Sequence, residues 1–304
     1  MNIHRLAVAT PLLEAGLVIA WSSGFIGGTL ASMTSSVFLV MFWRFLLTTA
    51  FLVPLALPQL RRMEWHELGL HAVIGSFAMF GYLATLVAAI DLGVPAGTAA
   101  LVTALQPLAT AAVSGVVLGE RVVPRQWLGL AVGFGGVAIS VAGGLNHAPL
   151  GGYALTLGSM ACIVIATLIA KSRGSGTTPL LPAMTIQCAA STGLFLPLVV
   201  LSGGLTPEMT PAFGYSVLWL ILFSTLAAYS LYWATLARTS ATRVSSLIYL
   251  TPPVTAVWAF AMLGEPITVP TVVGFLLSLM GVLLAHRSSD ERVMVCESAG
   301  CRSS

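Results

Sequence analysis

Two ionisable side chains stand where such groups are expensive. Arg44 interrupts the apolar run VFLVMFWRFLLTTAFLV at residues 37–53, and Glu14 interrupts PLLEAGLVIAW at 11–21. An arginine on a helix in hydrocarbon costs from about 2.5 to more than 10 kcal/mol depending on the reference state, so Arg44 must face protein or a wet cavity. A guanidinium held there can anchor a carboxylate or phosphate through a bidentate pair. The alternative is a structural arginine that bonds helix-end carbonyls, or Asp91 at the end of the third apolar stretch. Glu14 is the one carboxylate well inside an apolar stretch. A buried carboxyl has a raised pKa, so Glu14 can take up and release a proton during a working cycle. Alternatively it lies close enough to the stretch's end to be wetted, or paired with Arg5.

Uncharged candidates follow. Pro107, Pro252 and Pro253 interrupt otherwise helical apolar segments and free backbone carbonyls at depth, which is tolerated where neighbours or a cavity satisfy them. Thr103, Gln106, Tyr249 and Thr251 lie beside these breaks and line a polar path or bond an adjacent helix. Trp21, Trp43, Tyr82, Tyr229, Trp233 and Trp258 lie deep enough to wall a cavity for a small solute or simply to pack; Trp65 and Trp127 read as interfacial belt residues. Of these aromatics, Trp21, Tyr82, Tyr229 and Trp233 join Arg44 as candidate substrate contacts. Glu120 and Glu265 each follow a helix and precede another, where a carboxylate can cap free N–H groups at the starts of helices five and ten.

The elements that position these groups are membrane helices. Of 304 residues 57% are hydrophobic and only 8% charged, against about 25% charged in a soluble domain, and the mean hydropathy is +0.96. Lipid must be the solvent for most side chains. Breaks of Gly, Pro, Ser and charge place helices near 11–32, 36–58, 69–90, 95–118, 126–144, 151–170, 180–202, 213–236, 241–263 and 267–286. With the N-terminus in the cytoplasm, Arg5, Arg61, Arg62, Arg121, Arg125, Lys171, Arg173, Arg238, Arg243, Arg287, Arg292 and Arg302 fall inside and no basic residue falls outside. The positive-inside rule asks for this split, and it puts both termini in the cytoplasm. The first stretch exceeds the apolar core of a signal peptide and is kept as helix one.

A repeat runs through the chain. A shift of 145 residues superposes Pro107 on Pro252, Thr110-Ala111 on Thr255-Ala256, Leu118-Gly119-Glu120 on Leu263-Gly264-Glu265, Gly129 on Gly274 and Gly136-Val137 on Gly281-Val282. A shift of 143 brings Pro54 onto Pro197 and Arg44 onto Gln187. Gln187 is therefore a further polar candidate. The expected fold is an all-α membrane protein of ten transmembrane helices in two inverted five-helix repeats, residues 1–145 and 146–288, followed by a polar cytoplasmic tail, 289–304, expected to be disordered. Inverted halves exchange roles to open each side alternately.

Trp21-Ser22-Ser23-Gly24-Phe25-Ile26 resembles the W-G/S-x-x-F signature of EamA-type transporters, within the drug/metabolite transporter superfamily. Phe42-Trp43-Arg44-Phe45-Leu46 resembles that family's R-F pattern, and the Pro-to-Leu-Gly-Glu segments at 107–120 and 252–265 resemble its paired motif. The resemblance spans about residues 10–286. It implies ten helices around a central cavity and transport of amino acids or other metabolites, often outward. Glu14 and the second proline, Pro253, depart from the pattern.

The expected function is therefore secondary transport of a small metabolite, foremost export of amino acids or related compounds by alternating access. An uptake carrier or exchanger is the alternative, and a membrane-embedded enzyme a weaker one. His4, His66, His71, His147 and His286 all lie near segment ends or loops, so no intramembrane cluster suggests a metal or an acid–base pair. No Gly-rich phosphate loop with Lys-Ser/Thr is present, which argues against ATP as the direct driver. No cofactor is expected. The expected partners are a small-molecule substrate, the bilayer and, if Glu14 titrates, protons. Nucleic acid is not expected, because the 13 basic residues are scattered. The expected setting is the bacterial inner membrane. Glycines and serines at helix-contact spacing (Gly24-Gly28, Gly129-Gly133, Gly274-Ser278-Gly281) permit close helix approach, leaving monomer and homodimer open.

Overall fold

The computed structural model describes residues 3–106, 108–110, 113, 124–144, 148–172, 178–236, 247–248 and 250–298, with side chains described between 12 and 284 except at 125–126, 130, 141–144, 171, 233–234, 236 and 282. The described residues are helical, with short connections. In chain order the helices are α1 (Ile3–Ser32), α2 (Val37–Leu60), α3 (Trp65–Asp91), α4 (Ala96–Thr103), α5 (Pro124–Gly144), α6 (Leu150–Ser172), α7 (Leu180–Leu201), α8 (211–236), α9 (Thr251–Leu263) and α10 (Val269–Ser298). Six of them, α1, α2, α3, α6, α7 and α8, contain stretches long and apolar enough to cross a membrane, and shorter apolar helices lie in α5, α9 and α10. The protein is a multi-pass membrane protein.

Local chemistry sets the boundaries. The turn Ala104–Leu105 breaks α4 just before Pro107, the residue whose ring disfavours helix ahead of it; Pro107 itself, Glu120 and Tyr249 lie outside the described residues. Pro252 and Pro253 do not kink a continuous helix. They occupy the first turn of α9, with Leu250 as N-cap, where a missing N–H costs nothing. α10 continues to Ser298, beyond the expected end near 286 and into the polar tail. Between Gly281 and Gly300 the sequence has no Gly or Pro to stop it.

Helix packing cannot draw on the hydrophobic effect in lipid and relies on close fit. α5 and α10 show it best. A Cβ on Gly136 would lie 2.5 Å from the Gly274 carbonyl, one on Gly281 2.5 Å from the Gly129 carbonyl, and the Ser278 hydroxyl donates to the Gly133 carbonyl at 3.1 Å. The 145-residue shift exchanges the first two contacts and returns the third to itself, so this antiparallel pair has local two-fold symmetry. The small residues face one another within the chain. α2 and α7 form a second pair, with Phe45 stacked on Phe195 at 5.8 Å and Phe80 edge-on to Phe195 at 4.9 Å.

Two helices carry π-helical stretches, Ser76–Gly81 in α3 and Leu220–Ala227 in α8. Under the 145-residue shift the first falls inside the second. Such bulges widen a turn and often mark functional positions.

Candidate functional site

Arg44 is 3% exposed and lies about a third of the way along α2. Its Nε donates to the Thr225 hydroxyl at 2.9 Å, one terminal nitrogen donates to the Ser224 hydroxyl at 3.1 Å, and the other approaches the Met41 sulfur at 3.7 Å. The guanidinium carbon also sits 5.1 Å from the centre of the Phe45 ring. Every hydrogen-bond partner is neutral. Among the described residues no carboxylate pairs with Arg44, and Asp91 is exposed at the end of α3. The Arg44–Asp91 pair considered from sequence is thus not formed. Nor is the cation spent on helix-end carbonyls.

The π-helical stretch of α8 presents the two hydroxyls together. Thr225 donates its own proton to the carbonyl of Leu220, five residues back, which orients the oxygen's free lone pairs toward Arg44. Trp21 and Tyr229 meet at 5.7 Å between ring centres, and Trp21 and Tyr232 at 5.9 Å. Tyr82 follows the π-helical stretch of α3, and its hydroxyl interacts with Thr103 on α4. Trp21, Gly24, Met41, Arg44, Tyr82, Ser224 and Tyr229 surround a cavity of about 40 Å³. That volume holds at most a few waters and no amino acid, so this conformation leaves no room for a substrate beside Arg44.

The other sequence candidates divide. Trp21, Tyr82 and Tyr229 gather with Arg44, and Thr103 lies behind Tyr82. Gln106 instead donates to Thr167 on α6 at 3.4 Å. Gln187 on α7 packs against Gly75 on α3, away from the cavity. Thr251 is 2% exposed with an unpartnered hydroxyl, and its carbonyl accepts from Ser22 at 3.3 Å. Glu14 is buried on α1, seven residues before Trp21 and so about 10 Å along the axis, and does not line the Arg44 cavity. The side chain of Trp233 lies outside the described residues. Trp43 donates to the Leu205 carbonyl at 3.1 Å, and Trp258 packs on Trp219 at 5.9 Å. Trp65 is 88% exposed and Trp127 50%. Ser224 and Thr225 escaped the sequence reading; an adjacent polar pair inside an apolar helix was their only signal.

Glu265 caps a helix, but not the one expected. Gly264, at φ +69°, closes α9 in a left-handed turn, with the Glu265 N–H bonded to the Ala259 carbonyl, a Schellman arrangement. This turn sends the carboxylate across to α4, where Oε1 accepts from the Ala96 N–H at 3.3 Å. The connection therefore ties the second half of the chain to the first. Burial pushes the Glu265 carboxyl above the usual range, while the Ala96 and Gly97 N–H groups pull it down. Among the described residues no group of three His, Cys, Asp or Glu could hold a metal.

Comparison with known proteins agrees with this architecture. The model of the EamA-like transporter family matches residues 11–142 and 150–287. The chain belongs to that family. This EamA-like transporter is 29% identical over 255 residues to a probable terminal-alkyne amino-acid exporter of Streptantibioticus cattleyicolor, covering 80% of this chain and 81% of the relative. It is 29% identical over 217 residues to a probable amino-acid metabolite efflux pump of Salmonella typhimurium, covering 67% and 72%. An uncharacterized transporter of Bacillus subtilis is 28% identical over 291 residues, with 92% of each chain covered. A solved crystal structure 20% identical in sequence superposes with a TM-score of 0.64 over 91% of this transporter and 97% of that chain, a likeness of fold.

Proposed function

We propose that this transporter exports amino acids or related metabolites by alternating access, with Arg44 holding the substrate carboxylate. One observation carries the reading: Arg44 is a buried cation whose hydrogen-bond partners are all neutral, at the wall of a small cavity built from α1, α2, α3 and α8. A buried charge without a counterion is costly, and a substrate carboxylate supplies the counterion through charge-assisted bonds. Trp21, Tyr82 and Tyr229 then face the apolar remainder of the solute. The names of the Streptantibioticus and Salmonella relatives support an amino-acid substrate.

The proposed layout is ten spans in two inverted halves, 1–145 and 146–288, in a cell inner membrane with both termini cytoplasmic. The family match in two consecutive stretches, the two-fold contact of α5 with α10 and the one-sided distribution of arginines support it. Glu14 is the proposed proton-coupling group. It sits on the same helix as Trp21, so a change in its charge can bias how α1 packs.

Proteoliposomes loaded with a mixed pool of radiolabelled amino acids test the reading, with and without an imposed pH gradient. Counterflow of at least one amino acid, with half-saturation shifted to much higher concentration by Arg44→Gln, is the expected result. Transport of amines lacking a carboxylate with equal efficiency would overturn the assignment of Arg44.

A further inference from the structure

A second cavity, of about 290 Å³, opens where the α3–α4 and α9–α10 connections meet, at the external face in the ten-span layout. Ile90 lines both this cavity and the small one at Arg44. Among the described residues Glu265 is the only charged side chain lining it; Thr29, Thr98, Thr268 and Thr271 also line it, the last two with their hydroxyls bonded to each other at 2.9 Å. Ser140 also lines it and is 2% exposed, with a hydroxyl that has no hydrogen-bond partner. Glu265 accepts from the N–H groups of Ala96 and Gly97, and with about four acceptor sites a carboxylate keeps part of its capacity free. The one charged side chain among the described lining residues is thus an acceptor with capacity to spare.

Beside it lies an almost wholly apolar crevice of about 200 Å³, lined by Pro252, Pro253, Val257, Val272 and Phe275. The two spaces share Gly97, Ala256, Ile267 and Thr271, so they adjoin. Val257 is 57% exposed and Val272 44%, on a surface that meets lipid in a membrane protein.

We propose that the two spaces form one binding site for a primary aliphatic amine, with the ammonium on the Glu265 carboxylate and the chain in the crevice. An ammonium has three donors and no acceptor, which matches a lining of one carboxylate and several hydroxyls. A carboxylic acid of the same length would bring its charge against Glu265. The amine comes either from a free solute, an amino compound leaving the transporter included, or from an aminophospholipid headgroup entering between α9 and α10. The site is separate from the Arg44 cavity and binds whether or not amino acids are transported.

The test uses Ile267→Cys, a position shared by both spaces and 45% exposed. The full-length protein in phosphatidylcholine nanodiscs is labelled with a neutral methanethiosulfonate, and the rate at residue 267 is read by mass spectrometry. n-Hexylammonium should slow labelling, while n-hexanol and hexanoate should not. Adding Glu265→Gln should weaken protection about tenfold or more, the scale of a charge-assisted hydrogen bond, and Glu265→Asp should keep it. Unliganded labelling rates equal to that of Ile267→Cys alone show that these variants keep the surrounding structure. Equal protection by hexanol, or protection indifferent to Glu265→Gln, overturns the proposal. Protection already present in phosphatidylethanolamine nanodiscs, and lost with Glu265→Gln, assigns the occupant to lipid. Protection only on adding the amine assigns it to a free solute. Failure of amino-acid counterflow leaves this readout intact, so the two ideas fail separately.

Discussion

Replacing Arg44 by Gln separates an anchor from a structural arginine. In this structure Arg44 makes two hydrogen bonds to neutral hydroxyls, at 2.9 and 3.1 Å. Bonds to a charged group contribute about 1.5–3 kcal/mol each, so the two offset about 3–6 kcal/mol. Burying the cation costs several kcal/mol after relaxation. These terms nearly cancel, and glutamine retains one donor group for Ser224 or Thr225. Arg44→Gln should therefore leave thermal unfolding in detergent within a few degrees of wild type. Substrate binding is different. Removing one partner of a buried charge pair costs about 2–5 kcal/mol, which at 1.4 kcal/mol per decade is roughly 30-fold or more in affinity. The assay is half-saturation of counterflow in proteoliposomes, with unfolding measured on the same preparation. Arg44→Lys keeps the charge but loses the planar fork, and should fall between the two. Wild-type half-saturation in Arg44→Gln would refute the anchor. A large loss of stability accompanying the transport defect would refute the balance of energies and return Arg44 to a structural role.

Thr225→Val removes the acceptor for Arg44 Nε while preserving shape, and should weaken counterflow affinity about three- to tenfold without changing expression. Glu14→Gln should abolish accumulation driven by a pH gradient while sparing exchange; gradient-driven accumulation at the wild-type level would dismiss Glu14 as the coupling group. Gly135 and Gly136 are adjacent but opposite in surroundings. A Cβ at 135 meets nothing within 4 Å, whereas one at 136 meets the Gly274 carbonyl and Ser278 nitrogen at 2.5 and 2.7 Å. Gly135→Ala should be neutral or stabilising by up to about 1 kcal/mol, and Gly136→Ala destabilising by about 1–3 kcal/mol, read as unfolding temperatures of the two variants. Burial raises the Glu265 pKa, so its contribution to stability is present at low pH and is lost as pH rises through the raised value. Glu265→Gln should flatten the pH dependence of unfolding temperature above the normal carboxylate range; an unchanged profile would show that Glu265 does not titrate in that window.

The membrane-helical class and the isolated position of Arg44 were legible in the sequence, because each follows from local rules. Apolar length answers to bilayer thickness, and a charge inside an apolar run stands out without any partner being known. Partners are another matter. Whether Arg44 met Asp91 or two hydroxyls depended on how α2 packs against α8, and on a π-helical turn that no pattern of hydrophobicity announces. Gln187 matches Arg44 under a 143-residue shift of the sequence yet lies elsewhere, on α7 against Gly75 of α3. Glu265 shows the same division in one residue. Its place after Leu263-Gly264 marked a cap, but which helix it capped was decided by a left-handed glycine and by the distance across to Ala96, a contact between residues far apart in the chain.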